Sequence, residues 1–163
     1  MKQKGGGNMG LFDYSDTATV PADLEEITLL ADLSDEDWSR VLMIVETRHF
    51  KAGEDLIRVG EKDDSFYILT NGSVDVVVDT NGQETILAGI SEGSVFGEIA
   101  FFDGAPRSAT IRARDRGTAV RVTRENFESL AAWEPQIART LLYDLGRVLA
   151  MRLRWTTDRA NKK

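Results

Sequence analysis

The chain has 163 residues, 42% hydrophobic and 29% charged, enough for one domain with a sizeable core. It has no cysteine, which excludes disulfide scaffolds, Cys-ligated zinc, iron–sulfur clusters and thiol catalysis together. Net charge is −7, so the body is a poor general binder of nucleic acid, while no stretch approaches the ~20 apolar residues that span a bilayer.

These limits predict a cytoplasmic protein without a membrane span. Residues 1–20 read as a flexible leader, since Gly5, Gly6 and Gly7 break any element. The stretch PADLEEITLLADLSDEDWSRVLMIVETRHF reads as helices. Pro21 suits a helix start, and Leu24, Ile27 and Leu30/Ala31 keep a 3–4 spacing. Ser34 with Asp37 three residues on predicts a second helix start, with Trp38, Val41, Leu42 and Val45 as its apolar face.

From Arg48 the period changes to short strands. Candidates are Phe66–Leu69, Ser73–Asp79 and Glu84–Ile90, then Ala109–Ala113 and Thr118–Thr123. In the second, Val74, Val76 and Val78 share one face and Asp75, Val77 and Asp79 the other. Asn71-Gly72 and Asn81-Gly82 are hairpin signals, because both residue types tolerate the positive φ of a type I′ turn. Gly53, Gly60, Gly72, Gly82, Gly93 and Gly97 recur at roughly ten-residue spacing, which predicts an antiparallel β-roll or jelly roll over about 48–123.

Helices return over about 124–158. Thr123 with Asn126 caps the first, and Pro135 opens the longer second. Ala138, Leu141, Leu145, Val148, Arg152 and Trp155 form a heptad-like seam, and Leu142, Leu149 and Leu153 a second apolar row. One row can face the roll and leave another for a partner helix. Seven Lys/Arg against two Asp/Glu after Pro135 read as cations suiting a helix C-terminus. The fold class is therefore α+β, a β-roll flanked by helices at both ends, in one domain over 21–163.

Chemistry concentrates in FGEIAFFDGAPRSATIRA, from Phe96 to Ala113. Gly97 permits close backbone approach, and EIAFF can form a helical turn whose first N–H groups lack intrahelical partners. Arg107 offers a planar fork of donors that fits a phosphate, and Ser108 a hydroxyl beside it. Glu98, ionised, only accepts, which suits a sugar hydroxyl. The plain alternative is that Glu98 and Arg107 pair on the surface, worth ~0–1 kcal/mol and specifying nothing.

The stretch resembles the phosphate-binding cassette of cyclic nucleotide-binding domains: F-G-E-hydrophobic-A, a short loop, then P-R-small-A-T-hydrophobic-x-A. That family includes the catabolite activator protein, protein kinase A regulatory subunits and cyclic-nucleotide-gated channels. The likeness extends over about residues 24–155, including GEKDDSFYILTNGSVDVV. It implies that Glu98 binds the ribose 2′-hydroxyl and Arg107 the cyclic phosphate. Backbone N–H groups near Gly97, Ile99, Ala100, Ser108 and Ala109 would assist. Val76, Leu87 and Ala88 fall where the family lines base and sugar, although plain barrel core would look the same. Arg152 and Leu153, or Arg154 and Trp155, fall where the last helix nears the purine.

Ser108 leans the ligand toward cyclic AMP, since cyclic-GMP-preferring members often have threonine after the arginine. The resemblance implies a regulatory domain rather than an enzyme, signalling through its C-terminal helix, with a homodimer or partner domain as receiver. About eight residues follow Trp155, too few for a helix-turn-helix, so no DNA-binding domain is expected. Cyclic GMP and a ligand-free module of the same fold stay open as alternatives. A cupin-like metal site or a haem is not expected, because His49 is the sole histidine.

Overall fold

The computed structural model describes residues 28–162. The expected leader and the helix start at Pro21, with Leu24 and Ile27, lie outside them. The first helix, α1, is Asp35–Ile44. Eight strands follow: β1 (Glu46–Phe50), β2 (Asp55–Ile57), β3 (Phe66–Asn71), β4 (Val74–Thr80), β5 (Gln83–Ile90), β6 (Val95–Phe96), β7 (Thr110–Ala113) and β8 (Gly117–Val122). A short helix α2 (Glu98–Asp103) interrupts them after β6. The helices α3 (Arg124–Trp133) and α4 (Pro135–Asn161) close the chain.

The strands form two four-stranded antiparallel sheets, ordered β1-β8-β3-β6 and β2-β7-β4-β5. This is the β-roll with helices at both ends that the glycine rhythm predicts. The caps are also as read: Ser34 Oγ accepts the Asp37 N–H at 3.1 Å, and Thr123 and Asn126 form a reciprocal box at 3.0 and 3.3 Å. Asn81 and Gly82 both take positive φ, +57° and +82°, in the β4–β5 hairpin.

Several expectations are corrected. Asn71 is the last residue of β3, paired with Thr118, and only Gly72 has positive φ. The segment crosses between sheets rather than closing a hairpin. Leu30 and Ala31 lie in a turn, with Leu30 at φ +55°. Leu42 is exposed, and Ile44 takes its place beside Trp38, Val41 and Val45. The pairing of β4 with β5 slips between Val76 and Val77, while β4 keeps an unbroken register with β7. Val76 faces Ala88 and Val77 faces Ile86, so Leu87 is an extra residue. Val77 and Leu87 are both buried, and Val78 is half-buried.

Two apolar clusters result. One lies within the roll and includes Phe50, Leu56, Tyr67, Leu69 and Phe96, with Tyr67 stacked on Phe96 at 4.9 Å. The other joins the roll to the helices. In it Ala138, Leu141, Leu145 and Val148 meet Val41, Phe127 and Leu130. The α4 seam is therefore spent on the chain's own core up to Val148. Leu142 and Leu153 of the second row stay exposed.

The turn before α1 is tied to this helix by a buried carboxylate. Asp144 Oδ2 accepts the Leu30 N–H at 2.9 Å across 114 positions. Leu29 N–H donates to the Gly93 carbonyl at 3.1 Å. Asp144→Ala should cost about 1–3 kcal/mol in urea unfolding, the penalty of a buried N–H left unpaired. Asp144→Asn keeps an acceptor and should cost less. An alanine variant as stable as the parent would show that the bond does not hold the turn.

Candidate functional site

The cassette is built on β6, α2 and the loop before β7. Gly97 ends β6 and caps α2 at φ +79°, a conformation that L side chains rarely adopt. Added as a side chain, a Cβ here would lie 2.9 Å from Arg107 Nη1, 3.0 Å from Ile57 Cδ1 and 3.3 Å from the Ser65 carbonyl. Glycine is thus required both by the turn and by the guanidinium beneath it. At the other end of α2, Gly104 N–H bonds the Ala100 carbonyl at 2.9 Å and turns the chain toward Arg107.

Arg107 is only 4% exposed. Its main chain is held by the β2–β3 loop: Arg107 N–H donates to the Glu61 carbonyl and Gly60 N–H to the Arg107 carbonyl, both at 2.8 Å. Its Nη1 donates to the Gly97 carbonyl at 2.7 Å and its Nη2 to the Ser65 carbonyl at 2.6 Å. The nearest carboxylate, Asp63, is 3.6 Å away and is shared with Arg121. Asp63 lies below the usual carboxylate range. Partial burial pushes it up, but hydrogen bonds from Ser65 and the charges of Arg121 and Arg107 outweigh that. Arg107 Nε is buried without a hydrogen-bond partner among the described residues.

Glu98 is 3% exposed and does not pair with Arg107. Its Oε1 accepts from Arg152 Nη1 on α4, and Arg152 Nη2 donates to the Val95 carbonyl at 2.8 Å. The surface-pair alternative is not what forms: each residue has its own partner, and both line one cavity of about 270 Å³. That volume is near the small end of the roughly 300–1,000 Å³ range of ligand pockets.

Ten of the eleven expected site residues line this cavity: Val76, Ala88, Gly97, Glu98, Ile99, Ala100, Arg107, Ser108, Ala109 and Arg152. Leu87 does not: it is the buried extra residue of the β5 bulge, next to Ala88, which does line the cavity. Arg152 is committed to Glu98 and Val95. Leu149, Trp155 and Thr156 complete the α4 wall. Ser65 and Asp63, which hold Arg107, were not singled out from the sequence. A carbonyl acceptor leaves no sequence signal, and in EKDDSFY the acidic residues look like a solvated loop. On the helix side Arg124 stacks over the Phe101 ring at 4.6 Å and joins α2 to α3.

Among the described residues no cluster could hold a metal ion, and no helix is long and apolar enough to cross a membrane. The family model of the cyclic nucleotide-binding domain matches residues 47–132, which hold both Glu98 and Arg107. A cAMP-dependent protein kinase regulatory subunit of Emericella nidulans is 31% identical over 120 residues, 74% of this chain and 29% of that subunit. The chain thus spans under a third of that relative. A cyclic nucleotide-binding domain from Methylobacillus flagellatus superposes with a TM-score of 0.72 at 25% identity, covering 86% of this chain and 80% of that one. The Thermus thermophilus catabolite activator protein gives 0.70 at 25% identity, covering 82% and 62%. With the motif, the roll and the cassette in agreement, the chain belongs to the cyclic nucleotide-binding domain family.

Proposed function

We propose that this chain is a cyclic nucleotide sensor with a preference for cyclic AMP, and that binding repositions the end of α4. The observation that carries this is Arg107. A guanidinium at 4% exposure, with one buried N–H unpaired and its nearest carboxylate at 3.6 Å, lacks a full complement of partners. Buried charge is costly unless compensated, and a phosphate on the cavity side supplies the compensation. Glu98 would accept the ribose 2′-hydroxyl. N–H groups near Gly97, Ile99, Ala100, Ser108 and Ala109 would assist at the phosphate. Val76 and Ala88 would face sugar and base.

The lean to cyclic AMP rests on Ser108 and on the cAMP-dependent subunit among the relatives. The unit is taken as residues 21–163, in the cytoplasm and without catalytic activity of its own. A second copy or partner domain would meet α4 on the exposed row with Leu142 and Leu153, since the other row is buried. A ligand can shift α4 only by its differential affinity for two positions of the helix.

The test is calorimetric titration with cyclic AMP, cyclic GMP and cyclic di-GMP side by side, followed by hydrogen exchange on the saturated protein. Cyclic AMP should bind most tightly and slow amide exchange beyond Leu149. Silence with every nucleotide would sink the reading, tighter cyclic GMP would reverse the preference, and unchanged exchange would remove the helix step.

A further inference from the structure

Arg121 is a cation on the inward side of β8. Val120 and Val122 enter the core between roll and helices, and Ala119 the core within the roll. Alternation puts Arg121 on the Ala119 face, where an apolar residue would be ordinary. It stands across from Glu46 on β1 and Tyr67 on β3. With 27% of its side chain exposed, its charge needs partners. Nη1 donates to Glu46 Oε2 at 2.9 Å and Nε to Ser65 Oγ at 3.2 Å. Nη2 donates to Asp63, at 3.3 Å from Oδ2 and 3.4 Å from Oδ1.

Ser65 and Asp63 are also groups that hold Arg107. Arg107 Nη2 donates to the Ser65 carbonyl at 2.6 Å, reaches Ser65 Oγ at 3.3 Å and lies 3.6 Å from Asp63 Oδ2. One carboxylate is thus shared by two guanidiniums. Arg121 makes the hydrogen bonds to it, and Arg107 only the longer ion pair. Burial works against the charge of Asp63, yet Ser65 and the two guanidiniums hold it ionised. Neither Asp63 nor Arg121 lines the cavity; both line a separate polar recess with Glu46 and Tyr67. Any effect of Arg121 on a ligand in the cavity must therefore pass through Arg107.

We propose that Arg121 is a positioning residue for phosphate recognition, acting by holding Asp63 off Arg107. The inference rests on the cyclic-nucleotide reading above. An ionised carboxylate beside a guanidinium competes with a phosphate for the same charge. Drawn to Arg121, Asp63 neutralises Arg107 only in part, which leaves that cation short of a counter-charge on its cavity side. Without Arg121, Arg107 is the one cation within ion-pair range of Asp63 among the described residues. The carboxylate then closes on Arg107 and opposes the incoming phosphate.

The experiment is calorimetry of the whole chain with cyclic AMP. Wild type is set against Arg121→Gln, Arg121→Lys, Asp63→Asn and the double variant Asp63→Asn/Arg121→Gln. Arg121→Gln should weaken binding by at least about 5-fold, within the range of coupling inside one ion-pair network. Arg121→Lys keeps a cation beside Asp63 and should stay within about 3-fold of wild type. Asn at position 63 still accepts the Ser65 N–H but carries no competing charge. The double variant should therefore return to within about 3-fold of wild-type affinity. A merely structural Arg121 would leave the double variant at least as weak as Arg121→Gln. That result, or Arg121→Gln at wild-type affinity, or Arg121→Lys as weak as Arg121→Gln, overturns the proposal. If Arg121→Gln does not fold, Asp63→Asn alone decides. With the competitor gone and Arg121 intact it should bind more tightly than wild type, and equal or weaker binding overturns the proposal. Wild type that binds no cyclic AMP refutes the underlying reading. Wild type that binds, with no loss in Arg121→Gln, refutes this proposal alone.

Discussion

Arg107→Ala is expected to weaken cyclic AMP binding by at least ~2 kcal/mol, about 30-fold, the scale of a lost charge-assisted bidentate contact. The same change should move stability much less. It strands two carbonyls, of Gly97 and Ser65, but also removes a buried cation that Asp63 compensates only from 3.6 Å. These effects oppose each other in the free protein, whereas in the complex both favour arginine. Arg107→Lys should fare little better. One ammonium cannot meet two carbonyls from a fixed fork and also face an anion. Calorimetry with either variant at wild-type affinity would refute the phosphate role.

Gly97→Ala is expected to damage stability and binding together. At φ +79° an alanine costs about 1–2 kcal/mol from the backbone alone. Its Cβ would also stand 2.9 Å from Arg107 Nη1 and 3.3 Å from the Ser65 carbonyl. Ile57 can rotate away, but the guanidinium is bound to two carbonyls, one of them that of Gly97 itself. Relief therefore comes from moving Arg107, and cyclic AMP affinity should fall by at least about 10-fold. Gly104→Ala is the control. Gly104 has a similar φ of +67°, but nothing lies within 4 Å of the added carbon. It should show the backbone cost in urea unfolding with affinity retained. If Gly97→Ala also retained affinity, crowding at Arg107 would not matter to binding.

Much of this site is legible in the sequence because its chemistry is contiguous. Gly97, Glu98, Arg107 and Ser108 fall within one stretch whose turn residues and charges can be weighed together. The capped helices and the Asn81-Gly82 hairpin are legible for the same reason, since each is decided within a few residues. What escaped is set by distant partners. β1, β2 and β6 are two to five residues long and carry too little alternation to mark them. The β5 bulge at Leu87 is a property of pairing, not of β5 alone. Glu98 and Arg107 look like each other's partner at nine positions' separation, yet the fold supplies Arg152 and Ser65 from far along the chain.

The seam of α4 also bears on what kind of motion the helix can make. From Ile137 to Val148 its inner face is locked among Phe127, Leu130 and Val41, and Asp144 pins it to the Leu30 turn. Beyond Leu149 the helix rests on the cavity wall, on the bonds of Arg152 and, through Met151, on the edge of the same core. Swinging the whole helix would break the larger apolar core, whereas bending its distal turns disturbs Met151 at the edge of that core and the rim of the site. The helix is thus less a lid on a hinge than a cantilever, clamped at its root and loaded at its tip. The low-energy openings of such an element gather at the free end.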